Sequence, residues 1–309
     1  LTINELTQYH KIMKKIAIVI PTFNRRNYLR TILTQLNNQK LEEYYIEIVV
    51  VVDGSTDGTI EMLNCTFPKV HIVKGTGNWW FTRSINEGFK YAENNLKPNY
   101  LLILNDDVEI EDNYLQSLLN SYNNISGECL LGSMAVTVSC PHKVTFSGVQ
   151  EIKWWRGKSV QYLPSVDYQS LDMIAGSYPS YVLSGMGTLI PIKILKELNY
   201  FDEIAFPQYG SDDDFALRVK KKGYKVYISW DAKLFRHMET SSKGVSFNKG
   251  SKKVFLKSFF QWNSVNYVVK NVRINLRHGI PILVPFTLII FILGTFKSFF
   301  WGQKFKVYK

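Results

Sequence analysis

The sequence Leu-Leu-Ile-Leu-Asn-Asp-Asp-Val at residues 101–108 is a short apolar run that ends in two adjacent carboxylates. A run of this kind, bounded by polar residues, is typical of a buried central strand. Adjacent carboxylates repel each other and are costly to desolvate, and a divalent cation relieves both costs. The stretch therefore predicts a Mn2+ or Mg2+ site that also holds phosphate oxygens. The alternative is a surface turn in which both acids cap a helix starting near Asn113.

Three more apolar runs precede this one, at residues 16–20, 46–52 and 70–73. Apolar residues recur at helical spacing between and after the runs, at 26–39, 59–64, 84–95 and 115–122. Pro21 follows the first run and predicts its end, because proline cannot continue a central strand. Strands that are apolar on both faces and alternate with helices predict an α/β domain, with a mostly parallel central sheet flanked by helices.

Polar or glycine-rich residues follow each predicted strand. They are Thr22, Asp53, residues 75–78, and the pair Asp106 and Asp107. In open α/β sheets, ligands bind in the crevice outside the carboxyl ends of the strands. We therefore expect these residues to converge on one cleft, and the convergence favours a metal–diphosphate site over a helix cap.

The pattern changes after residue 130. Short strand candidates occur at 136–138, 143–146, 152–155, 181–190 and 224–228. A helix is predicted at 213–222, and the three acids at 212–214 lie at its start. The loop-rich stretch 148–179 is rich in aromatic residues and is predicted to shape a substrate site. The alternative is a surface excursion whose aromatic side chains pack on the core.

Composition indicates a folded protein in a reducing compartment. The 309 residues are 46% hydrophobic and 14% aromatic, ample for a packed core. The three cysteines show no CxxC spacing, and an odd number of cysteines cannot all pair, which disfavours a disulfide framework. The first 15 residues lack a continuous apolar core, so we expect no signal peptide there. Met13 resembles a native start, and residues 1–13 are interpreted as an extension without an assigned function.

Positive charge is concentrated at the C-terminus. The net charge is +11, but residues 218–309 carry 19 Lys and Arg against two acids, and residues 1–217 are net negative. Residues 252–278 mix aromatic and basic side chains, which is typical of a helix on a membrane surface. Residues 279–296 carry no charge and contain Pro281 and Pro285, so we predict monotopic attachment rather than a clean span. The alternative is a buried helix in an oligomer interface.

Several motifs occur together in a fixed order. The first strand and loop end in Pro-Thr-Phe-Asn-Arg at 21–25, and the second in Asp-Gly-Ser-Thr-Asp-Gly at 53–58. Gly-Asn-Trp-Trp at 77–80, Asn-Asp-Asp at 105–107, Ser-Gly-Met-Gly at 184–187, Gly-Ser-Asp-Asp-Asp at 210–214 and His237 follow. Over residues 14–239 this order resembles the inverting nucleotide-sugar glycosyltransferases of family two, with the GT-A fold. It is similar to bacterial polysaccharide enzymes of the rhamnosyltransferase type.

The sequence departs from the family pattern at three places. Val52 stands where an additional Asp is common. The usual Arg-Asn pair is missing, because Ile85 precedes Asn86 and the nearest cation is Arg83. Ser211 replaces the usual Glu.

The resemblance implies roles for individual residues. Asp212 is the general base, and Asp107 and His237 are metal ligands. The implied donor-binding residues are Pro21, Thr22, Asn24, Asp53, Gly77, Asn78, Arg83, Asn105 and Asp106. The implied acceptor-side residues are Trp79, Trp80, Gly185 and Asp213.

The resulting expectation is a metal-dependent inverting glycosyltransferase. It would move a sugar from a UDP- or dTDP-sugar to a hydroxyl of a glycan or lipid-linked glycan, at the cytoplasmic face of the membrane. We divide the chain into the extension 1–13, a catalytic domain 14–240 with donor half 14–127 and acceptor half 128–240, and a membrane-associating region 241–309. The oligomeric state stays open.

Three alternatives compete with this expectation. One is a nucleotidyltransferase acting on sugar phosphates, but residues 21–24 lack the expected glycine-rich phosphate loop. Another is a non-catalytic basic protein that binds nucleic acid or membrane. The uncharged run 279–296 disfavours a nucleic-acid partner, because it offers no charge to phosphates. The third is an inactive scaffold, which the retained acids disfavour.

Overall fold

The computed structural model describes residues 13–170, 174–238 and 251–304. Its strands are β1 Lys14–Thr22, β2 Tyr44–Asp53, β3 His71–Gly75, β4 Tyr100–Ile103, β5 Val108–Ile110, β6 Cys129–Thr137, β7 Val144–Phe146, β8 Val149–Lys153, β9 Lys158–Gln161, β10 Ser177–Pro179, β11 Thr188–Pro191 and β12 Lys225–Arg236. Its α-helices are α1 Arg26–Asn37, α2 Thr59–Thr66, α3 Trp80–Asn95, α4 Tyr114–Asn123, α5 Ile192–Glu197, α6 Ser211–Lys221, α7 Lys252–Ser258, α8 Val268–His278 and α9 Val284–Lys304.

Most of the strands form one sheet, in the order β10-β12-β6-β11-β4-β1-β2-β3, with β5 paired to β12 and β7 paired to β6. The strands β4-β1-β2-β3 form one end of this sheet and are parallel. β11 is antiparallel to both β4 and β6. The four apolar runs predicted as strands are therefore neighbours in one sheet, with β3 at its edge.

Helices cover both faces of the sheet. α1, α2 and α4 pack on one face through residues such as Leu33, Leu63 and Leu118. α3 and α6 pack on the other face through residues such as Phe89 and Phe215. Burial on both faces explains why the central strands are apolar at every position rather than at alternate ones.

Several element boundaries differ from the predicted ones. β1 runs through Pro21 to Thr22, because its pairing with β4 ends at Val19 and only β2 lies beside residue 21. A proline is tolerated at such a one-sided position. β6 and β12 are longer than the short candidates at 136–138 and 224–228, and β11 is shorter than the candidate at 181–190.

The aromatic stretch 148–179 packs on the core. The ring centroids of Tyr162 and Tyr178 lie 5.8 and 4.0 Å from that of Trp230 in β12. Trp154 lies against the backbone of Gly279, where a Cβ would stand 2.7 Å from the indole. These contacts agree with the surface excursion, but Trp155 in the same stretch is 50% exposed, and a role of the stretch in a substrate site stays a prediction.

The basic stretch 252–278 differs from its prediction. It forms α7 and α8 rather than one helix, and α8 packs against the catalytic domain. Arg277 Nη1 donates to Asp202 Oδ2 and Asp214 Oδ1, each at 2.9 Å. Arg273 Nη1 donates to the carbonyl of Ala205 at 2.7 Å. These two cations are thus bonded to acids and carbonyls of the same chain, whereas Val269 and Leu276 of α8 are exposed, and the membrane contact of α8 stays a prediction.

The apolar C-terminal stretch is a continuous helix. Pro281 opens a 3-10 turn, and Pro285 lies in the first turn of α9. Proline is compatible with a first turn because the N–H groups there have no intrahelical partner. The prolines therefore mark the start of a helix and not the bend of a hairpin. Residues 281–300 are long and apolar enough to cross a membrane, and only 11% of the most apolar window is buried.

Some predicted features lie outside the described residues. They are the extension before Met13, the boundary near residue 240, and the last five residues with Lys306 and Lys309.

Candidate active site

The acid pair lies at the carboxyl end of β4 and is held by residues that follow β1. Asp106 and Asp107 are both buried. Thr22 Oγ1 donates to Asp106 Oδ2 at 2.8 Å. Arg25 Nη1 bridges the pair, at 3.0 Å from Asp106 Oδ1 and 2.8 Å from Asp107 Oδ2. The alternative of a surface turn is therefore wrong, because the acids lie in a buried cleft and not on the end of α4.

Burial and charge set the ionisation of this cluster. Burial raises the pKa of Asp106 to about 6, although Arg25 and the hydroxyl of Thr22 oppose the shift. Burial would lower the pKa of Arg25, but the charges of Asp106 and Asp107 outweigh it and raise that pKa. The guanidinium thus compensates two carboxylates that would otherwise be costly to bury.

The donor atoms around the pair suit a hard cation. Two carboxylates converge, and Asn105 Oδ1 is buried with no hydrogen-bond partner in the described part of the chain. Oxygen atoms of this kind are the ligands that Mn2+ and Mg2+ prefer. Within residues 13–170, 174–238 and 251–304, no three His, Cys, Asp or Glu side chains form a cage. A site completed by substrate phosphates needs only one or two carboxylates, so the residues present fit such an ion.

His237 is anchored beside the pair. Its backbone N–H donates to the carbonyl of Asp107 at 3.1 Å. Its Nε2 lies 2.8 Å from Glu109 Oε1, and its ring packs edge-on against Tyr28 at 4.9 Å. The backbone of His237 thus lies beside that of Asp107, and the imidazole ring is oriented by Glu109. The role of His237 as a metal ligand stays a prediction.

Asp53 organises the loop that leads into α3. Its Oδ1 accepts the N–H of Gly77 at 2.7 Å, and its Oδ2 accepts those of Trp79 and Trp80 at 2.8 and 3.2 Å. The carboxylate therefore caps the start of α3. The implied nucleobase contact stays a prediction.

Two glycines let the loops after β2 and β3 touch. Gly54 has φ +74°, and a Cβ on it would stand 2.6 Å from the Cα of Gly77. A side chain at residue 54 would be strained by its φ angle and blocked by the second loop.

The loop after β1 is joined to the loop after β2. Asn24 Oδ1 accepts the N–H of Thr56 at 2.8 Å, and the N–H of Asn24 donates to Ser55 Oγ at 3.0 Å. Asn78 is exposed in the third loop, and Arg83 lies over the ring of Trp79 at 5.4 Å. The implied donor residues thus occupy adjoining loops at one edge of the sheet.

A continuous set of contacts connects this donor side to α6. Thr82 Oγ1 bonds Ser211 Oγ at 3.0 Å and the carbonyl of Phe206 at 2.6 Å. The next residue, Asp212, accepts the N–H of Gly185 on Oδ2 at 2.9 Å. Ser211, the residue that replaces the usual Glu, thus ties α3 to the helix that carries Asp212.

Asp212 and Asp213 lie in the first turn of α6 and resist ionisation. Burial raises the pKa of Asp212, although the N–H groups of Gly185 and Asp213 and the charge of Lys270 oppose it. Burial and the charge of Asp212 raise the pKa of Asp213 to about 7, against the opposing charge of Lys270. Carboxylates with raised pKa values are better proton acceptors near neutral pH.

A family comparison covers the donor side of this arrangement. The model of the family described as glycosyl transferase family 2 matches residues 17–178, more than half of the chain. The chain belongs to glycosyl transferase family 2. The match begins in β1 and includes Asp53 and the acid pair.

Two curated relatives differ in how much they share with this family 2 chain. The chain is 29% identical over 123 residues to the glycosyltransferase GlyA of Streptococcus pneumoniae, which covers 38% of this chain and only 16% of that protein. It is 23% identical over 235 residues to the GalNAc(5)-diNAcBac-PP-undecaprenol beta-1,3-glucosyltransferase of Campylobacter jejuni, covering 71% of this chain and 72% of that protein.

A solved structure shares the fold. The complex of GalNAc-T7 with UDP, GalNAc and Mn2+ superimposes with a TM-score of 0.60 at 13% identity, over 90% of this chain and 55% of that one. At this identity the likeness concerns the fold alone. The expected GT-A fold is confirmed by this likeness and by the family match.

Sequence reasoning gave no role to three residues of the family 2 site. Arg25 bridges the acid pair, Glu109 orients His237, and Lys270 faces Asp212 and Asp213. Arg25 carried a detectable signal, because it is a cation directly after a strand-end motif. Glu109 and Lys270 carried none, because their proximity arises from tertiary packing.

Proposed function

We propose that this family 2 protein transfers a sugar from a UDP- or dTDP-sugar to a hydroxyl of a glycan or lipid-linked glycan, with inversion. The observation that supports the proposal is the hydrogen bond from Thr82 of α3 to Ser211, the residue before Asp212 in α6. α3 begins at the loop whose N–H groups are bound by Asp53. A single base that acts opposite the leaving group gives direct displacement. Displacement of this kind inverts the anomeric carbon.

Asp212 is proposed as the base that takes the proton of the acceptor hydroxyl. Gly185 N–H fixes Oδ2, and the N–H of Asp213 lies 3.1 Å from Oδ1. A carboxylate can accept further hydrogen bonds, so room for the hydroxyl proton remains. The raised pKa of Asp212 makes it a stronger proton acceptor than an exposed aspartate.

Asp106 and Asp107 are proposed to hold Mn2+ or Mg2+, with His237 nearby. A bound divalent ion would supply Lewis-acid stabilisation of the leaving diphosphate. Arg25 adds positive charge at the same carboxylates. Thr22 and the loops carrying Asn24, Asp53 and Gly77 would orient the donor, because these residues line one strand edge.

The acceptor side is proposed to include Trp80 and Gly185. Trp80 adopts φ +57° at the start of α3 and lies edge-on to Trp262, with ring centroids 4.7 Å apart. Aromatic rings of this kind stack on sugars. The Campylobacter relative is named for an undecaprenol-linked glycan, which supports a lipid-linked acceptor here.

We also propose that α7 and α9 attach the protein to the cytoplasmic membrane surface. Phe255 and Phe259 of the α7 segment stack with Phe296 and Phe299 of α9, so these two elements form one unit. The other side of α9 is apolar and exposed at Phe286, Ile289, Leu293 and Phe300, and Ile282 is exposed in the 3-10 turn before it. An exposed apolar face of this size indicates a lipid or protein partner.

A screen of nucleotide sugars tests the activity. The full chain is incubated with each donor, a lipid-linked acceptor and Mn2+, and released nucleoside diphosphate and transferred sugar are measured. Asp212→Asn should fold normally and lose at least about 10²-fold in rate. EDTA should abolish transfer by the wild-type protein.

The outcomes separate the alternatives. Near-wild-type turnover in Asp212→Asn would remove Asp212 from the role of base, and full activity in EDTA would remove the metal. Formation of a nucleotide sugar from a sugar phosphate, with release of pyrophosphate, would identify a nucleotidyltransferase instead.

A further inference from the structure

α8 of the C-terminal segment is bound to the helix that carries the proposed base. Asp214, the third acid of α6, is fully buried and accepts hydrogen bonds at 2.8–2.9 Å from Arg218, Arg277 and His278. Burial alone would raise the pKa of Asp214, but these three donors hold it below its ordinary value. Two of the three donors belong to α8, so the docking of α8 compensates a buried charge in the catalytic domain.

Lys270 extends from the first turn of α8 towards the start of α6. A Cβ added to Gly210, the residue that precedes α6, would lie 3.2 and 3.3 Å from Cγ and Cδ of Lys270. Its ammonium donates to the carbonyl of Val265 at 2.9 Å and lies 5.8 Å from the ring centroid of Tyr209. The side chain is thus fixed on both sides, with its charge beside the first turn of α6.

The charged groups around Asp212 are few. Asp213 and Asp214 share its helix, and Lys270 comes from α8, whereas the loop that contains Gly185 contributes an uncharged N–H. Asp214 is already compensated by Arg218, Arg277 and His278. Among the described residues, Lys270 is therefore the cation that acts on Asp212 and Asp213. Burial lowers the pKa of Lys270, and the charges of Asp213 and Asp212 oppose that shift.

We propose that Lys270 is a positioning residue for the transfer reaction, through which the C-terminal segment supplies a cation beside Asp212 and Asp213 and orients them for the acceptor. The inference rests on the proposed role of Asp212 as base. It assigns to the C-terminal segment a part in catalysis in addition to membrane attachment. Membrane contact at α9 would then be continuous with the base through α8 and Lys270.

The test compares Lys270→Met and Lys270→Arg in the full chain. A cation favours the ionised form of a neighbouring carboxyl, so its loss should raise the pKa of the base. We expect Lys270→Met to shift the acid limb of the pH profile of kcat/KM to higher pH by about one unit. At acid pH this shift corresponds to about a tenfold loss of kcat/KM. At alkaline pH the loss should be much smaller. Lys270→Arg should return the limb to the wild-type position.

Arg273→Met is the matched control. Arg273 lies one turn further along α8 and contacts the carbonyl of Ala205. Its loss should weaken docking and lower the Tm without moving the acid limb. An unmoved limb in Lys270→Met, or an equal shift in both variants, would overturn the proposal.

A carbon-13 NMR titration of labelled aspartate carboxyls gives a readout that needs no turnover. Asp212→Asn and Asp213→Asn identify the two signals. Higher carboxyl pKa values in Lys270→Met support the proposal, and unchanged values overturn it even if no donor is active. Near-wild-type turnover in Asp212→Asn would instead refute the base assignment, which is a separate result.

Discussion

At the scale of single residues, Arg25 is the main addition to the acid pair. The chain supplies its own cation to Asp106 and Asp107, at 3.0 and 2.8 Å. A guanidinium in this position makes the pair tolerable inside the protein before any metal is bound. A divalent ion bound as proposed would therefore compete with Arg25 for the same carboxylate oxygens.

Arg25→Gln should lower stability and increase the effect of metal. Without its cation the buried pair loses compensation, and we expect a loss of about 1–3 kcal/mol in the free energy of unfolding. Mn2+ should raise the Tm of this variant more than that of the wild type, because the ion replaces the lost charge. Thermal unfolding in EDTA and in Mn2+ measures both effects.

Arg30→Gln is the control, since Arg30 is exposed on α1. It should leave the Tm and the response to Mn2+ unchanged. Equal Mn2+ effects in wild type and Arg25→Gln would contradict competition at the pair.

Asp213 should make stability depend on pH. Its pKa in the folded protein is raised to about 7 from an ordinary value of 3.8, so the folded state holds the proton more tightly than the unfolded state. The resulting stabilisation is present below pH 3.8 and is lost as pH rises through 7. Asp213→Asn cannot ionise and should gain at least about 1 kcal/mol at pH 8, with little gain at pH 4.

Chemical denaturation at the two pH values measures this difference. Asp112→Asn, at an exposed acid, serves as the control and should give no such gain. A larger gain for Asp213→Asn at acid pH than at alkaline pH would mean that the sign is wrong.

At the scale of elements, the contact between the loops after β2 and β3 depends on two glycines. Gly54→Ala would place a Cβ 2.6 Å from the Cα of Gly77, whereas Gly127 has a similar φ of +83° and nothing within 4 Å. We expect Gly127→Ala to cost about 1 kcal/mol from backbone strain alone. Gly54→Ala should cost at least about 2 kcal/mol, because one loop must also move. Urea denaturation of both variants tests this; equal costs would show that the loops shift freely.

The central strands were predictable because burial on both faces leaves an unbroken apolar run. The runs 16–20, 46–52, 70–73 and 101–104 all became neighbouring strands. The edges were less predictable. β12 contains a register shift between Ser229 and Lys233, and its outer half includes charged residues, so its pattern is irregular. Strand length there is set by pairing with β6 and β5, which local sequence does not reveal.

The orientation of α8 could not be predicted for a similar reason. Its basic and apolar residues recur as in a membrane-surface helix. Which face meets lipid depends on partners far away in sequence, here Asp202 and Asp214. The clustering of donor residues at one sheet edge was predictable, because parallel strands bring their carboxyl ends together.

At the scale of the whole molecule, the catalytic domain and the C-terminal segment form a single structure over the described residues. α8 binds α6, and α9 packs on α7 and on the 3-10 turn at Trp154–Arg156. The uncovered side of this assembly carries the exposed apolar residues of α7 and α9.

Glutamates on the exposed face of α9 and in the 3-10 turn before it should release the protein from membranes. The combined variant Ile282→Glu, Ile289→Glu and Leu293→Glu removes three exposed apolar side chains, which are 86%, 56% and 64% exposed. Each would contribute about 1.5–3 kcal/mol if fully buried in lipid, so partial burial of three predicts at least about a tenfold loss of binding. Flotation with anionic liposomes measures it.

The matched control places three glutamates on the exposed side of α1, at Asn27, Thr31 and Thr34. It adds the same charge without touching α9 and should float like the wild type. Equal loss in both variants would show that added negative charge, and not the apolar face, is responsible.

The inward direction of the α8 cations has a consequence for ionic strength. Arg273 and Arg277 are bonded to the catalytic domain, and Lys270 lies beside Tyr209 and Asp213. The charge that can face anionic lipid is therefore smaller than the composition of the tail suggests. Salt at 1 M shortens the Debye length to about 3 Å and so screens surface charges, but it does not weaken the binding that comes from apolar burial. The protein should therefore remain with membranes through a high-salt wash and require detergent for extraction.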